Sequence, residues 1–306
     1  MRTLTERLEA LIAPAVGAAG LPTAVVHPCD EVALHGALLA RERGLIMPTL
    51  VGPERRIRSV AEKHGMDLHG CALIDTPHSH ASAARSVALV REGLAAALMK
   101  GSLHTDELMA AVLDRDQGLR TAHRISHVFY MDVPLYPKPL ILTDAAIAIE
   151  PTLDEKVHIV QNAIDFAIAM GITTPHVALL AAVETVNPKM RATLDAAALC
   201  KMADRGQIRG GVLDGPLAFD NAISAEAAER KGIRSPVSGH VDILVAPDIE
   251  SANMLAKQLE YLADAITAGL VLGARVPIIL TSRADSAATR LASAAIAVRY
   301  IQALTR

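Results

Sequence analysis

Short apolar runs of strand character recur along this chain, and the stretches between them are the length of helices. The first is TAVVH (23–27), followed by a polar corner at 28–30, a helical stretch to residue 43, IMPTLV (46–51) and the corner Gly52-Pro53. CALID (71–75), a helix over 79–92, a strand over 95–99 and a helix over 104–113 continue the series. Such alternation predicts an α/β protein with a largely parallel sheet flanked by helices.

Residues 115–136 read as a polar break, and Pro134, Pro137 and Pro139 stiffen the passage into LILTDAAIAI. A second series follows: helix 153–170, strand 176–180, helix 189–204, strand 211–213, helix 219–231, strand 241–245, a helix from 249 to about 268, strand VPIILT (276–281) and a last helix over 286–304. The expected organisation is a first lobe of residues 1–139 plus 274–306 and a second of 140–273. With 51% hydrophobic residues but no Trp and three Phe in 306 residues, the interiors must be built from Ala, Val, Leu, Ile and Met. A net charge of -3 supplies no field for nucleic acid or an anionic membrane, so any bound anion must be gripped locally. Cys29, Cys71 and Cys200 are odd in number and far apart, which predicts free thiols in a reducing compartment, the cytoplasm. None has zinc-ligand spacing. The opening segment reads as a packed helix, not a leader, and no run approaches the roughly 20 apolar residues that span a bilayer.

Neither GxGxxG nor GxxxxGK[ST] occurs, which argues against NAD and ATP. Three strand-end corners remain as places for chemistry, because open α/β sheets bind ligands at the carboxyl ends of their strands. In ALMKGSLHTDE, Lys100, Gly101, Ser102 and Thr105 bring a cation, a bare backbone and hydroxyls to a helix start, where an anion is stabilised; ordinary helix capping explains the same residues. In GGVLDGPLAFDNAIS, Asp214, Gly215 and Pro216 form a turn after a short strand, either for close approach of a ligand or as plain turn chemistry. In VPIILTSRADSAATR, Ser282, Arg283 and Asp285 set a hydroxyl, a guanidinium suited to phosphate and a carboxylate within four residues; capping accounts for Asp285 but not for Arg283. Two weaker features are Asn253 and Lys257, four apart on one helical face, and the pair His78 and His80, which lacks a third metal ligand.

The motifs KGSLHT, AVETVNPKM, GGVLDGPLAFDNAIS, PDIESANMLAKQL and ILTSRADS, in this order over nearly the whole length, resemble the phosphate acetyltransferase and phosphate butyryltransferase family. The resemblance is strongest to the acetyltransferase halves of enoyl-CoA hydratase fusions. It implies two α/β lobes of the isocitrate and isopropylmalate dehydrogenase type around a cleft, a homodimer or larger homo-oligomer, and reversible transfer of a short acyl group, acetyl to butyryl, between CoA and inorganic phosphate in a ternary complex. Acyl-CoA and phosphate are then substrates, with no permanently bound cofactor and no metal. By the same resemblance Ser282, Arg283 and Asp285 are catalytic, and Lys100, Gly101, Ser102, Thr105, Asp214, Gly215, Pro216, Asn253 and Lys257 bind substrate. One departure concerns the base: many acetyltransferases of the family carry an acidic residue further into the last helix, where this chain has Ala288 and Thr289, leaving Asp285 as the nearest substitute. An ordinary Asp at about 3.9 is poorly matched to a thiol near 8.5. The competing readings are a non-catalytic CoA-thioester-binding protein and a metal-dependent dehydrogenase on the same fold.

Overall fold

The computed structural model describes residues 5–16, 20–282 and 285–305. Arg283, proposed above as a phosphate ligand, lies outside the described residues. In chain order the elements are α1 (Glu6–Ile12), a 3-10 turn (Ala13–Ala15), β1 (Leu21–Val26), α2 (Glu31–Glu42), β2 (Ile46–Gly52), α3 (Glu54–Lys63), β3 (Ala72–Asp75), α4 (Ser79–Arg91), β4 (Ala97–Lys100) and α5 (Thr105–Val112). They continue as β5 (Ser126–Asp132), β6 (Leu140–Thr143), α6 (Leu153–Ala169), β7 (His176–Leu180), α7 (Arg191–Asp204), β8 (Val212–Leu217), α8 (Phe219–Ile223) and α9 (Ala225–Arg230). The last are β9 (Ile243–Val245), α10 (Ile249–Leu262), β10 (Ile266–Leu272), β11 (Ile278–Ile279) and α11 (Ala287–Leu304).

Contacts divide the chain into two units, Met1–His123 with Ala268–Arg306, and Arg124–Thr267. In the first, strands run in the order β3-β2-β1-β4-β11-β10, parallel except for β10 against β11. Val25, Val26, Leu98, Met99 and Ile278 are fully or almost fully buried, as expected of a sheet covered on both faces. In the second unit the order is β5-β6-β9-β7-β8, parallel except for β5 against β6. Met131, Leu140, Leu142, Ala178 and Leu244 centre its core. The segment 124–139 sorts with this second unit, where Val128, Phe129, Tyr130 and Met131 of β5 pair antiparallel with β6.

Several local expectations are corrected. The supposed polar break holds β5, SHVFYMD, whose residues are buried except Phe129. The helix expected from 249 to about 268 stops at Leu262; Asp264 turns the backbone to φ 54 and the chain re-enters as the fully buried β10. The helix over 219–231 is two helices, divided at Ser224, whose hydroxyl accepts the Ala227 N–H and caps the second. Asp214, Gly215 and Pro216 do not turn the chain: all three lie inside β8. β8 is the terminal strand of its sheet, where a proline's missing N–H costs no ladder bond. Gly215 is needed there, since a Cβ would stand 2.7 Å from the Leu179 Cβ. Of VPIILT, only Ile278–Ile279 pairs as strand.

Candidate active site

In the first unit, parallel strands deliver β1, β2 and β4 to one carboxyl edge, and the chain there is drawn unusually tight. β1 ends at Val26, and His27 takes φ 56, a left-handed backbone uncommon outside glycine. Three donors hold its carbonyl in that conformation: the Cys29 N–H at 2.8 Å, the Ser102 N–H at 2.9 Å and the Ser102 hydroxyl at 2.8 Å. The Ser102 oxygen accepts in turn from the Cys29 N–H. Gly101 permits this closeness, because a Cβ would stand 2.3 Å from the Val26 carbonyl oxygen. Lys100, Gly101 and Ser102 therefore join the ends of β1 and β4, with Lys100 the buried last residue of β4. The single proton of Ser102 goes to His27.

Around this joint stand three helix starts. Asp30 caps α2 by accepting the Ala33 N–H, His78 Nδ1 caps α4 by accepting the Ala81 N–H, and the Glu107 carboxylate accepts the His104 N–H before α5. A cavity of about 330 Å³ opens among them, walled by His27, Asp30, Arg56 and Ser79 on one side of the chain order and by Ser102, Leu103, His104 and Glu107 on the other. Thr105, the first residue of α5, is not in that wall. His27 is 8% exposed. Burial first, then the Arg56 guanidinium, pushes its pKa below the usual 6.5.

The Ser282 corner follows β11 in the same unit. The Asp285 carboxylate accepts the Ser282 N–H at 2.6 Å and the Asp285 N–H donates to the Ser282 carbonyl at 3.2 Å, closing a small ring. Capping of α11 falls to Ser286, which accepts the Thr289 N–H. Sequence reasoning missed Arg290. Its guanidinium is buried under the corner, donating through Nη1 to the Thr281 hydroxyl at 2.9 Å and through Nη2 to the Ser282 carbonyl at 2.7 Å, while its Nε has no partner among the described residues. Burial lowers its pKa; Asp285 and then Asp30 act the other way. The signal was available: Arg290 is a lone charge in the apolar run AATRLASAAIAV. Ala288 and Thr289, where the family pattern has an acid, are buried.

The remaining expected residues belong to the second unit. Asp214 accepts its neighbour's Gly215 N–H, and the Cys200 thiol donates to the Gly215 carbonyl at 3.7 Å. Asn253 donates to the Ala145 carbonyl, whereas Lys257 pairs with Glu260 at 2.8 Å along its own helix. At the carboxyl ends of β7 and β9 an apolar cavity of about 440 Å³ is formed by Leu180, Ala181, Ala182 and Ala246 with Phe219 and Leu255. Lys156 and Asp195 make a buried ion pair at 2.7 Å nearby, also unforeseen from sequence. All three cysteines are free; burial pushes the Cys29 thiol up to about 11 and that of Cys200 up to about 12, so neither is a ready nucleophile. Among the described residues no cluster of three or more His, Cys, Asp or Glu side chains has the geometry to hold a metal ion. His78 and His80 meet only edge to face, their rings 6.2 Å apart.

The sequence pattern of the family described as phosphate acetyl/butaryl transferase matches residues 82–298. The phosphate acetyltransferase of Rhizobium meliloti is 61% identical over 294 residues, covering 96% of this chain and 93% of that protein. The phosphate butyryltransferase of Clostridium acetobutylicum is 43% identical over 274 residues, covering 90% and 91%. Among solved structures, a branched-chain phosphotransacylase from Enterococcus faecalis V583 superposes with a TM-score of 0.80 at 29% identity, covering 92% of this chain and 99% of that one. A match of this length, with relatives aligned nearly end to end, makes the chain a member of the phosphate acetyl/butyryl transferase family.

Proposed function

We propose that this protein transfers a short acyl group, acetyl to butyryl, reversibly between coenzyme A and inorganic phosphate. The observation that carries the reading is the 61% identity to a phosphate acetyltransferase across 96% of the chain. The reaction needs a grip on phosphate, a donor for the carbonyl oxygen as it gains charge, and a path for one proton. In this reading Ser282 and Arg283 meet phosphate and the developing oxyanion. Asp285 sets their loop, a role supported by its 2.6 Å bond to the Ser282 N–H, and Arg290 braces the loop from beneath. Lys100, Gly101, Ser102 and Thr105 shape the neighbouring strand ends. Asp214, Gly215, Pro216, Asn253 and Lys257 contribute to holding CoA from the second unit. Each unit is a lobe of the isocitrate and isopropylmalate dehydrogenase type, and the active form is a homo-oligomer in the cytoplasm. No helix among the described residues is long and apolar enough to cross a membrane.

A thioester assay with acetyl-, propionyl- and butyryl-CoA tests this. Loss of thioester should require phosphate or arsenate, and acetyl phosphate plus CoA should regenerate the thioester. Arg283→Ala should raise the transition-state barrier by about 2–4 kcal/mol with folding little changed. Hydrolysis at an equal rate in phosphate-free buffer would make the protein a thioesterase instead.

A further inference from the structure

The corner at Ser282 leaves the proton of the thiol without a carrier, because the Asp285 carboxylate is buried and engaged with the Ser282 N–H. Another titratable group stands at the end of β1, two strands from β11 in the same sheet. His27 Nδ1 lies 3.0 Å from the Ser82 oxygen, which lies 2.9 Å from the Thr76 oxygen and 3.0 Å from the His78 carbonyl. A carbonyl only accepts, and a serine hydroxyl has one proton and two lone pairs. One assignment makes all three contacts hydrogen bonds: Ser82 donates to the carbonyl and accepts from both Thr76 and His27. The proton of the neutral imidazole is thereby placed on Nδ1, and Nε2 keeps its lone pair. Nε2 has no hydrogen-bond partner among the described residues, and His27 is one of the residues that wall the 330 Å³ cavity.

Two further observations separate this ring from an ordinary buried histidine. Its backbone is held at φ 56 by three donors on one carbonyl, a costly conformation of the kind that clusters at functional sites. Charged and titratable groups also face it from every helix at that edge: Asp30 before α2, Arg56 on α3, His78 before α4, and Glu107 with His104 at α5.

We propose that His27 is a catalytic residue, the general base and acid of acyl transfer, its Nε2 carrying one proton between the sulfur of CoA and the phosphate. The assignment rests on the acyl-transfer reading above. From acyl phosphate and CoA, the S–H bond breaks and its proton passes to Nε2 as sulfur bonds to the carbonyl carbon. The C–O bond to phosphate then breaks, its electron pair leaves with phosphate, and Nε2 returns the proton to that oxygen. In reverse, the proton that hydrogen phosphate gives up on attack is the one the departing thiolate takes, so no other reactant is required. Neutral His27 is the form that accepts, and burial with Arg56 keeps it neutral at pH 7, outweighing Asp30 and Glu107. The rate of thioester formation should therefore be level around neutrality, with an acid limb displaced to the acid side of the ordinary histidine value of 6.5.

The test is steady-state synthesis of acetyl-CoA from acetyl phosphate and CoA, measured against pH for wild type, His27→Asn and His27→Gly, with circular dichroism as the folding control. Asparagine and glycine both tolerate a left-handed backbone. In both variants kcat should fall by about 100-fold or more, with KM for each substrate moving less than about threefold and the acid limb gone. Added imidazole should restore part of the rate in His27→Gly. Should neither variant fold, Ser82→Ala, which removes the Nδ1 acceptor, is read instead: kcat should drop and the acid limb shift at unchanged KM. Wild-type kcat and an unchanged acid limb in the folded His27 variants, or in Ser82→Ala where those do not fold, overturn the proposal. A wild-type protein that forms neither acetyl-CoA nor butyryl-CoA from the acyl phosphates and CoA overturns the acyl-transfer reading and this step with it; an active wild type beside equally active His27 variants overturns this step alone.

Discussion

Each unit buries one histidine beside its sheet, and the two have been put to opposite uses. His127, on β5 of the second unit, is wholly buried; neither ring nitrogen has a hydrogen-bond partner among the described residues, and the ring meets Phe129 edge to face at 4.4 Å. Burial pushes its pKa down to about 3. His27, in the first unit, is nearly as buried, yet one nitrogen is fixed by Ser82, the other has no partner among the described residues, and the residue lines a cavity. Burial alone makes a histidine a poor core residue. A partner on one side and space on the other make it a proton carrier.

Acid should separate the two most strongly. His127 is neutral when folded, and its folded pKa lies below the unfolded value of about 6.5. The stability it contributes is complete above pH 6.5 and drains away as pH falls toward 3, amounting to on the order of 4 kcal/mol at the end of that window. His127→Leu should remove this acid penalty and gain about 1 kcal/mol at pH 7 by deleting two unpaired polar atoms. Urea midpoints from pH 7 to pH 3 check it; an acid sensitivity equal to wild type would show that another group sets the acid limit.

Next in size is the joint that shapes His27. Gly101→Ala places a Cβ 2.3 Å from the Val26 carbonyl oxygen, so the ends of β1 and β4 must part. We expect a loss of about 1–3 kcal/mol in stability and a fall in kcat larger than that in kcat for Ser102→Ala, since serine loss removes bonds but no space. Thermal melts and acetyl-CoA synthesis on the same samples measure both.

A smaller effect distinguishes the two carboxyl-edge candidates for the thiol proton. In Asp285→Asn the amide oxygen still accepts the Ser282 N–H, so a loop-setting Asp285 predicts a kcat reduced less than about 10-fold, and Asp285→Ala a deeper loss. If Asp285 were the base, Asn and Ala would be equally damaging and the acid limb would disappear in both. Parallel pH profiles of Asp285→Asn and His27→Asn therefore sharpen the contrast directly.

Much of this was legible from sequence, for identifiable reasons. Runs such as HVALL are short, apolar and bounded, and β7 has the expected ends, 176–180. β5 was hidden because SHVFYMD begins and ends in polar residues that the fold buries, with Ser126 bonded to Asn162 and the His127 N–H to Asp144. β10 was hidden because ITAGLVL follows α10 without a glycine or proline, the reversal being made by Asp264. At the site, Lys100 to Ser102 and the Ser282 corner stood out as strand-end polar clusters. His27 did not: it reads as the last residue of TAVVH, and its distinguishing feature, a bond to a serine 55 residues away, is not local. Arg290 finds its partners at Thr281 and Ser282, nine and eight residues upstream across the turn into α11, a pairing that helical spacing does not reveal.

The smallest expected effect lies at the face of α10 read from sequence as a substrate contact. Asn253 and Lys257 do not act as a pair: Asn253 donates to the Ala145 carbonyl, and the Lys257 ammonium joins Glu260 and stands 5.8 Å from the Tyr261 ring centroid. An i,i+3 pair on a partly exposed helix is worth about 0.2–0.5 kcal/mol, so Lys257→Met should leave the melting temperature nearly unchanged. Its effect on turnover then tells which unit holds the charged end of CoA. A Lys257 that leaves Glu260 for a CoA phosphate gives a raised KM for CoA, unchanged KM for acetyl phosphate and unchanged kcat, the signature of lost ground-state binding. If all three constants stay at wild-type values, Lys257 belongs to the helix surface, and the grip on CoA phosphates must be sought at other cations, beginning with Arg56 in the cavity that His27 walls.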